Sequence, residues 1–367
     1  MTTQPYNISC KFICAKDRSI LFDKCLNSSE LQQIQVGQRA FINLISIRPE
    51  VVLPENELLE YDFCFQADSD EYGLAELLPS LIYQEQSLPS FVIKKNIEKM
   101  LHGSCRKPHF ESDDGLCQVD RLLQKDSFSA EQRPSMLMMS GDQVYVDDVA
   151  GPMLVAIHQV IETLGLFDEM WRNEPSANTH ISNSQQLFAS PVGYYQREQI
   201  LPNEGFNKGV LNKYIATKKR PIFTTANANN HLVTFAEVMA MYLLVWSPEL
   251  WEGVDLSLQK QTNIPKPFHL KYQKELVAIN AFSSGLAEIR RAMAHIPTYM
   301  IFDDHDITDD WNLTRNWEEA AYNNCFSKRI LGNALIGYWL CQGWGNAPDK
   351  FTSLTSNVPK YFTGEGI

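Results

Sequence analysis

Ile301-Phe302-Asp303-Asp304-His305-Asp306-Ile307-Thr308-Asp309-Asp310-Trp311-Asn312 is the stretch on which the reading of this chain turns. It continues an apolar run that begins at Thr298 and reads as a short strand. Five carboxylates fall within eight residues of its end, and they repel one another unless cations sit among them. Phe302 and Trp311 flank the acids and argue against a fully solvated loop. Met136-Leu137-Met138-Met139-Ser140-Gly141-Asp142-Gln143-Val144-Tyr145-Val146-Asp147-Asp148 has the same form. Two apolar strands that end in acids predict two edges of one metal site.

Gly141 lets the backbone turn sharply at its strand end. Asp142 is then placed to bridge a pair of cations. Tyr145 offers a phenolate to a hard, highly charged ion such as ferric iron. The alternative is that Asp142 caps the following helix while Tyr145 packs. Asp304 suits an oxygen ligand of a second cation, and His305 suits a proton donor to a leaving oxygen. The alternative there is a surface acid run, with Asp309 or Asp310 capping a helix. Gly103-Ser104-Cys105-Arg106-Lys107-Pro108-His109 lies at a third predicted strand exit. Cys105 offers a thiolate and Arg106 a forked contact to phosphate. A lone cysteine is more often simple packing, but three strand ends on one sheet edge make a site.

Outward from these motifs the chain divides in two. Residues 1–95 carry short apolar runs broken by polar and proline-containing pieces, such as Ala40-Phe41-Ile42-Asn43-Leu44-Ile45, and predict a small β-rich domain. From residue 96 strands alternate with helices, which predicts an α/β layer architecture over 96–367. A helix is expected to begin at Asp120. Another spans Val149 to Trp171, with Asp147 or Asp148 capping its start. Further helices are expected over His231–Trp246, Tyr272–Ala294 and 317–341. Residues 173–230 are polar and read as a long, pocket-shaping excursion.

Composition sets outer bounds. The 367 residues are 44% hydrophobic and 21% charged, as in a soluble globular protein, and the net charge is −12. That charge weighs against coating nucleic acid, and the one dense basic run, Lys218-Lys219-Arg220, reads as a solvated turn. The longest apolar run, Val238–Trp246, is too short to cross a membrane and reads as a buried helix. No signal peptide is evident at the N-terminus. Eight cysteines without framework spacing predict reduced, mostly buried thiols in a cytoplasmic protein. His231 reads as a structural helix-start histidine. His295 is expected to cap the carbonyls of its own helix.

Gly141-Asp142-Gln143-Val144-Tyr145-Val146-Asp147-Asp148 together with Phe302-Asp303-Asp304-His305-Asp306 resembles the PhoD-like branch of the calcineurin-like metallophosphoesterases. Ser104-Cys105-Arg106 resembles that branch's first motif, in which a cysteine replaces the usual Asp-x-His. The resemblance covers roughly residues 98–345, with three motifs in the family's order. It implies a four-layer α-β-β-α sandwich preceded by an Ig-like β domain. It also implies a two-metal centre, typically Fe3+ with Ca2+, that hydrolyses phosphate monoesters or diesters. By resemblance Cys105, Asp142 and Tyr145 hold the iron. Asp142 also reaches calcium, and Asp304 takes a second-metal position usually filled by Asn. His305 matches the acid-side histidine. No histidine follows His305, and 306–367 lack the family's later histidine motif. The expectation is a C-terminally truncated sandwich that keeps its first half, with an incomplete metal site and an apolar sheet face uncovered.

The mechanism expected on this reading is attack of a cation-activated water on phosphorus. Arg106 would hold the phosphate and His305 would protonate the departing alkoxide. The expected partner is a small phosphate ester, not a membrane or a nucleic acid. Two alternatives stand beside it. One is an inactive metal-binding or structural module without the downstream histidines. The other is a two-metal nuclease, which the acidic charge disfavours.

Overall fold

A computed structural model of the protein describes residues 1–67, 70–171, 181–202, 222–223 and 228–355. The Lys218-Lys219-Arg220 run and much of the polar excursion lie outside the described residues. Seven strands come first: β1 (Asn7–Cys14), β2 (Ile20–Cys25), β3 (Leu31–Gly37), β4 (Ala40–Ile45), β5 (Leu58–Ala67), β6 (Asp70–Gly73) and β7 (Ser90–Val92). β1 alternates apolar and polar residues, and Ile8 and Cys10 face inward. An antiparallel sheet runs β2-β1-β5-β6, with β7 also on β5.

The β3–β4 hairpin is separate from that sheet. Its Ile34, Val36, Ala40 and Ile42 join the main hydrophobic core, not the small cluster of Ile8, Cys10 and Leu26. At its tip, Gln38 N and Arg39 N donate to Gly165 O and Leu164 O, each at 2.8 Å. A β-turn thus supplies partners to a helix end whose carbonyls have none of their own.

β8 (Met100–Gly103), β9 (Met136–Ser140) and β10 (Thr298–Ile301) form a parallel sheet in the order β10-β9-β8. Parallel pairing brings all three carboxyl ends to one edge. This is the arrangement the acid-tipped strands predict, and the architecture is mixed α/β. Leu137 and Met139 point into the core, whereas Met100, Tyr299 and Ile301 stand exposed on the other face. The Asn346 side chain bonds both backbone groups of Met300 and so blunts the β10 edge.

The longer helices are α1 (Leu116–Lys125), α2 (Gly151–Leu164), α3 (Phe235–Leu244), α4 (His269–Ser284), α5 (Leu286–His295), α6 (Arg315–Tyr322) and α7 (Cys325–Tyr338). Every residue of α3 is buried, as its apolar run requires, and a Thr234–Glu237 capping box fixes its start. No helix among the described residues is long and apolar enough to cross a membrane.

Several expectations need correction. α1 starts at Leu116, not Asp120, because the Asp114 carboxylate accepts the Leu116 N–H. α2 stops at Leu164, where Gly165 takes the left-handed conformation, φ 58°. Neither Asp147 nor Asp148 caps it; the Gly151 N–H is instead met by Glu275 Oε2 at 2.8 Å. The helical segment near Tyr272–Ala294 is two helices broken at Gly285. All eight cysteines are free, but only Cys10, Cys14 and Cys117 are buried.

His295 does not cap its own helix. Its Nδ1 accepts the Ser90 N–H at 3.1 Å and its Nε2 donates to Leu81 O at 2.8 Å. Those two bonds need a neutral imidazole, and burial lowers its pKa from 6.5 to about 4. The unfolded chain therefore binds a proton that the folded chain refuses between those values. Stability is lost as pH falls from about 6.5 towards 4, by about 3 kcal/mol for this one group. His295→Gln removes the group, so its stability deficit against wild type should shrink by that amount over this range. A deficit independent of pH in urea melts would refute the assignment.

Candidate metal centre

Two of the three strand ends, those of β8 and β9, reach the site through an unusual backbone. Gly141 has φ 117°, and a Cβ there would come within 2.4 Å of Asp303 Cβ, so only glycine lets the β9 and β10 ends approach this closely. Asp142 (φ 54°) and Cys105 (φ 55°) are both left-handed, a conformation that costs a non-glycine residue about 1–3 kcal/mol. Cys105 N and Arg106 N donate to Gly141 O (3.1 Å) and Asp142 O (2.7 Å), which pins the β8 exit to the β9 exit.

Asp306 performs the same service for β9 and β10. Its Oδ2 accepts Asp142 N (2.7 Å) and Asp303 N (2.9 Å), and its Oδ1 accepts Val144 N (2.8 Å). Burial pushes this carboxyl up to about 7, against the pull of the three N–H donors.

The convergence places one ligand atom each of Asp142, Asp304 and His305 within 4.8 Å of one another. Cys105 Sγ lies 3.4 Å from Asp142 Oδ2. Asp142 Oδ1 is buried and has no hydrogen-bond partner among the described residues. A buried oxygen of this kind is rarely left unsatisfied, and a cation beside it would satisfy it. The residues present thus fit a metal ion.

Protonation points the same way. Burial raises the Asp142 carboxyl, and burial with the nearby Asp142 charge raises the Tyr145 phenol. A hydrogen bond with Ser104 pulls the Cys105 thiol down, but burial and Asp142 outweigh it and leave the thiol raised. Burial thus disfavours the charged forms of Asp142, Tyr145 and Cys105, and a bound cation would favour them.

His305 is held from two sides. Its Nδ1 donates to Asp147 Oδ2 at 2.9 Å, and its ring stacks on Tyr145 at 4.8 Å between centroids. Asp147, also bonded to the Asp309 N–H at 2.7 Å, raises the imidazole to about 9. Lys107 lies over the Tyr145 ring at 5.8 Å and pairs with Asp148, whose Oδ1 is 3.4 Å from His109 Nε2.

Arg106 departs from expectation. Its guanidinium is buried between Trp246 and Phe282, with Nε on Asp114 Oδ2 at 2.6 Å and Nη1 on Val245 O at 2.8 Å. In that position it stabilises the core and does not reach for phosphate. Cys105, Asp142, Tyr145, Asp304 and His305 are brought together, and Arg106 is not. Sequence reasoning missed the parts played by Asp306, Asp147 and Lys107. Asp306 was in plain view among the acids, but only the third dimension shows that its partners are backbone N–H groups.

No family model matches the chain, and no curated protein matches it. Among solved structures the chain is similar to one described as "Structure of PhoD", at 9% identity and a TM-score of 0.29. The similarity covers 91% of this chain and 40% of that one, and a superposition this loose carries no argument.

Asp306→Ala should lower stability by roughly 3 kcal/mol, because buried N–H groups lose their acceptor. It should also weaken divalent-cation binding, and Asp306→Asn should restore part of both. Urea melts and equilibrium dialysis check this; an Ala variant with wild-type cation affinity would show that the bracket does not shape the site.

Proposed function

We propose that this chain belongs to a metal-dependent phosphoesterase that hydrolyses small phosphate esters. The observation that carries the reading is the convergence of Cys105, Asp142, Asp304 and His305 from three parallel strand ends around a buried, unpartnered Asp142 oxygen. Asp142 and Asp304 would hold the cations, with Cys105 and Tyr145 completing a site that suits Fe3+ on one side and Ca2+ on the other. Bound cations supply the lowered pKa of the attacking water and absorb charge on the phosphoryl oxygens.

The chain's own residues do the rest. As the water oxygen bonds to phosphorus and the ester P–O bond breaks, the departing oxygen takes a proton from His305 Nε2. Asp147 holds Nδ1 and orients the ring, as carboxylates commonly do for active histidines. With Arg106 withdrawn and Lys107, beside Tyr145, paired with Asp148, the phosphate charge would fall chiefly to the bound cations and to His305. The net charge of −12 favours a small ester over a nucleic acid.

The finer architecture belongs to the same proposal. The β10-β9-β8 sheet would be one sheet of an α-β-β-α sandwich, and its exposed Met100, Tyr299 and Ile301 form the face a second sheet would cover. Eight free cysteines suit a cytoplasmic setting.

One observation favours a second reading, a cation-binding module without turnover: the guanidinium expected at the phosphate is committed to Asp114 and Val245. Experiment separates the two. With iron and calcium supplied, the wild type should cleave 4-nitrophenyl phosphate or its diester, and Asp142→Ala should lose both turnover and bound metal. His305→Ala should keep its metal yet slow alkyl esters by about 10²–10⁴-fold. Cation uptake without cleavage of any ester would establish the second reading, and unaltered turnover in Asp142→Ala would end the first.

A further inference from the structure

A cavity of about 280 Å3 opens beside the strand ends, where Cys105 forms part of its wall. The same Cys105 sulfur lies 3.4 Å from Asp142, so cavity and metal centre share a border. Away from that border Leu116 and Val119 of α1, Leu137 and Met139 of β9, and Phe282 of α4 give the lining its apolar side, opposite a polar side that includes Ser112 and Asp113. Phe110 stands in the wall with 65% of its surface exposed. An aromatic ring left in water beside the apolar side of a cavity gains from a flat apolar group that enters.

Charge in the cavity narrows the choice. Arg106 and Lys107 both border it, but Arg106 is paired with Asp114 and Lys107 with Asp148. Asp113 adds a further carboxylate to the same wall. A second anionic group on the ligand would meet compensated cations and nearby acids, whereas an uncharged group would meet none of that cost. The volume, about 280 Å3, lies just below that of most ligand sites, which run from about 300 to 1,000 Å3, and so suits a small group.

We infer that this cavity is the leaving-group pocket of the phosphoester site, and that it takes an uncharged, largely apolar alcohol or phenol about the size of a bicyclic aromatic. The role as leaving-group pocket rests on the phosphoesterase reading; the binding preference does not. On hydrolysis the group in the cavity departs with the oxygen of the broken P–O bond and the proton from His305, and phosphate stays at the metal centre.

Two measurements test this. In the full chain with iron and calcium, the ratio of kcat/KM for 1-naphthyl phosphate to that for methyl phosphate should fall about tenfold in Phe110→Ala, and further in Val119→Trp, which fills the cavity. An unmoved ratio overturns the inference. Binding of 1-naphthol, which carries no phosphate, is followed separately by NMR shifts of the Leu116 and Val119 methyls. It should weaken at least fivefold in Phe110→Ala, a substitution at an exposed position that the fold tolerates. Equal affinity in wild type and Phe110→Ala overturns the pocket even if esters are cleaved. If no ester is cleaved but 1-naphthol binding responds as stated, the phosphoesterase reading fails and the apolar pocket stands.

Discussion

The Asp306 carboxylate joins the ends of two strands by accepting the N–H groups of Asp142, Val144 and Asp303. Those three groups sit just past β9 and β10, where no ladder partner remains for them. Without an acceptor the Asp142 and Val144 N–H groups would be buried donors with nothing to bind. With it, the β9 exit is drawn so close to the β10 exit that position 141 has no room for a side chain. The left-handed turns at Cys105 and Asp142 persist because the surrounding hydrogen bonds over-determine them.

From that clamp follows the electrostatic character of the site. Elsewhere in the core, some buried charges come in close pairs. Arg197 and Glu237, both fully buried, meet at 2.6 Å, and Arg106 meets Asp114 at 2.6 Å. Such pairing is what makes a buried charge tolerable. At the strand ends the balance is different. Asp142, Asp304, Asp147 and Asp306 face few basic groups, chiefly His305, and Asp142 keeps an oxygen unmatched. An acid excess held in place by backbone geometry is a site prepared for positive ions.

The β-rich N-terminal segment bears on α1 and α5 through polar staples. Tyr61 donates to Ala294 O at 2.7 Å, Tyr83 to Asp120 Oδ1 at 2.8 Å, and Arg133 joins Ser90 Oγ to His295 O. Burial lowers Arg133 to about 10, so it remains charged at neutral pH and continues to serve five acceptors at the base of α5. Together with the β3–β4 hairpin on the end of α2, these contacts set the helices that pack behind the strand ends.

The strand ends that make up the candidate site were legible in the amino-acid order alone. Apolar runs ending in Cys105, Asp142 and Asp304 announce strand exits, because a strand's interior excludes charge and its end does not. Gly141 announces a turn for the same local reason, and the all-apolar run around Val238–Val245 announces a buried helix. What needed the folded chain was every partnership between distant segments. Whether Arg106 reaches phosphate or Asp114, whether Asp147 caps a helix or orients His305, and whether Asp306 binds solvent or three backbone N–H groups depend on contacts that link residues up to 164 positions apart. Local sequence sets which groups stand at a strand's end, since that depends on neighbours in the chain. Only tertiary packing decides what those groups touch, since a hydrogen bond is a matter of ångströms in space and not of order along the chain.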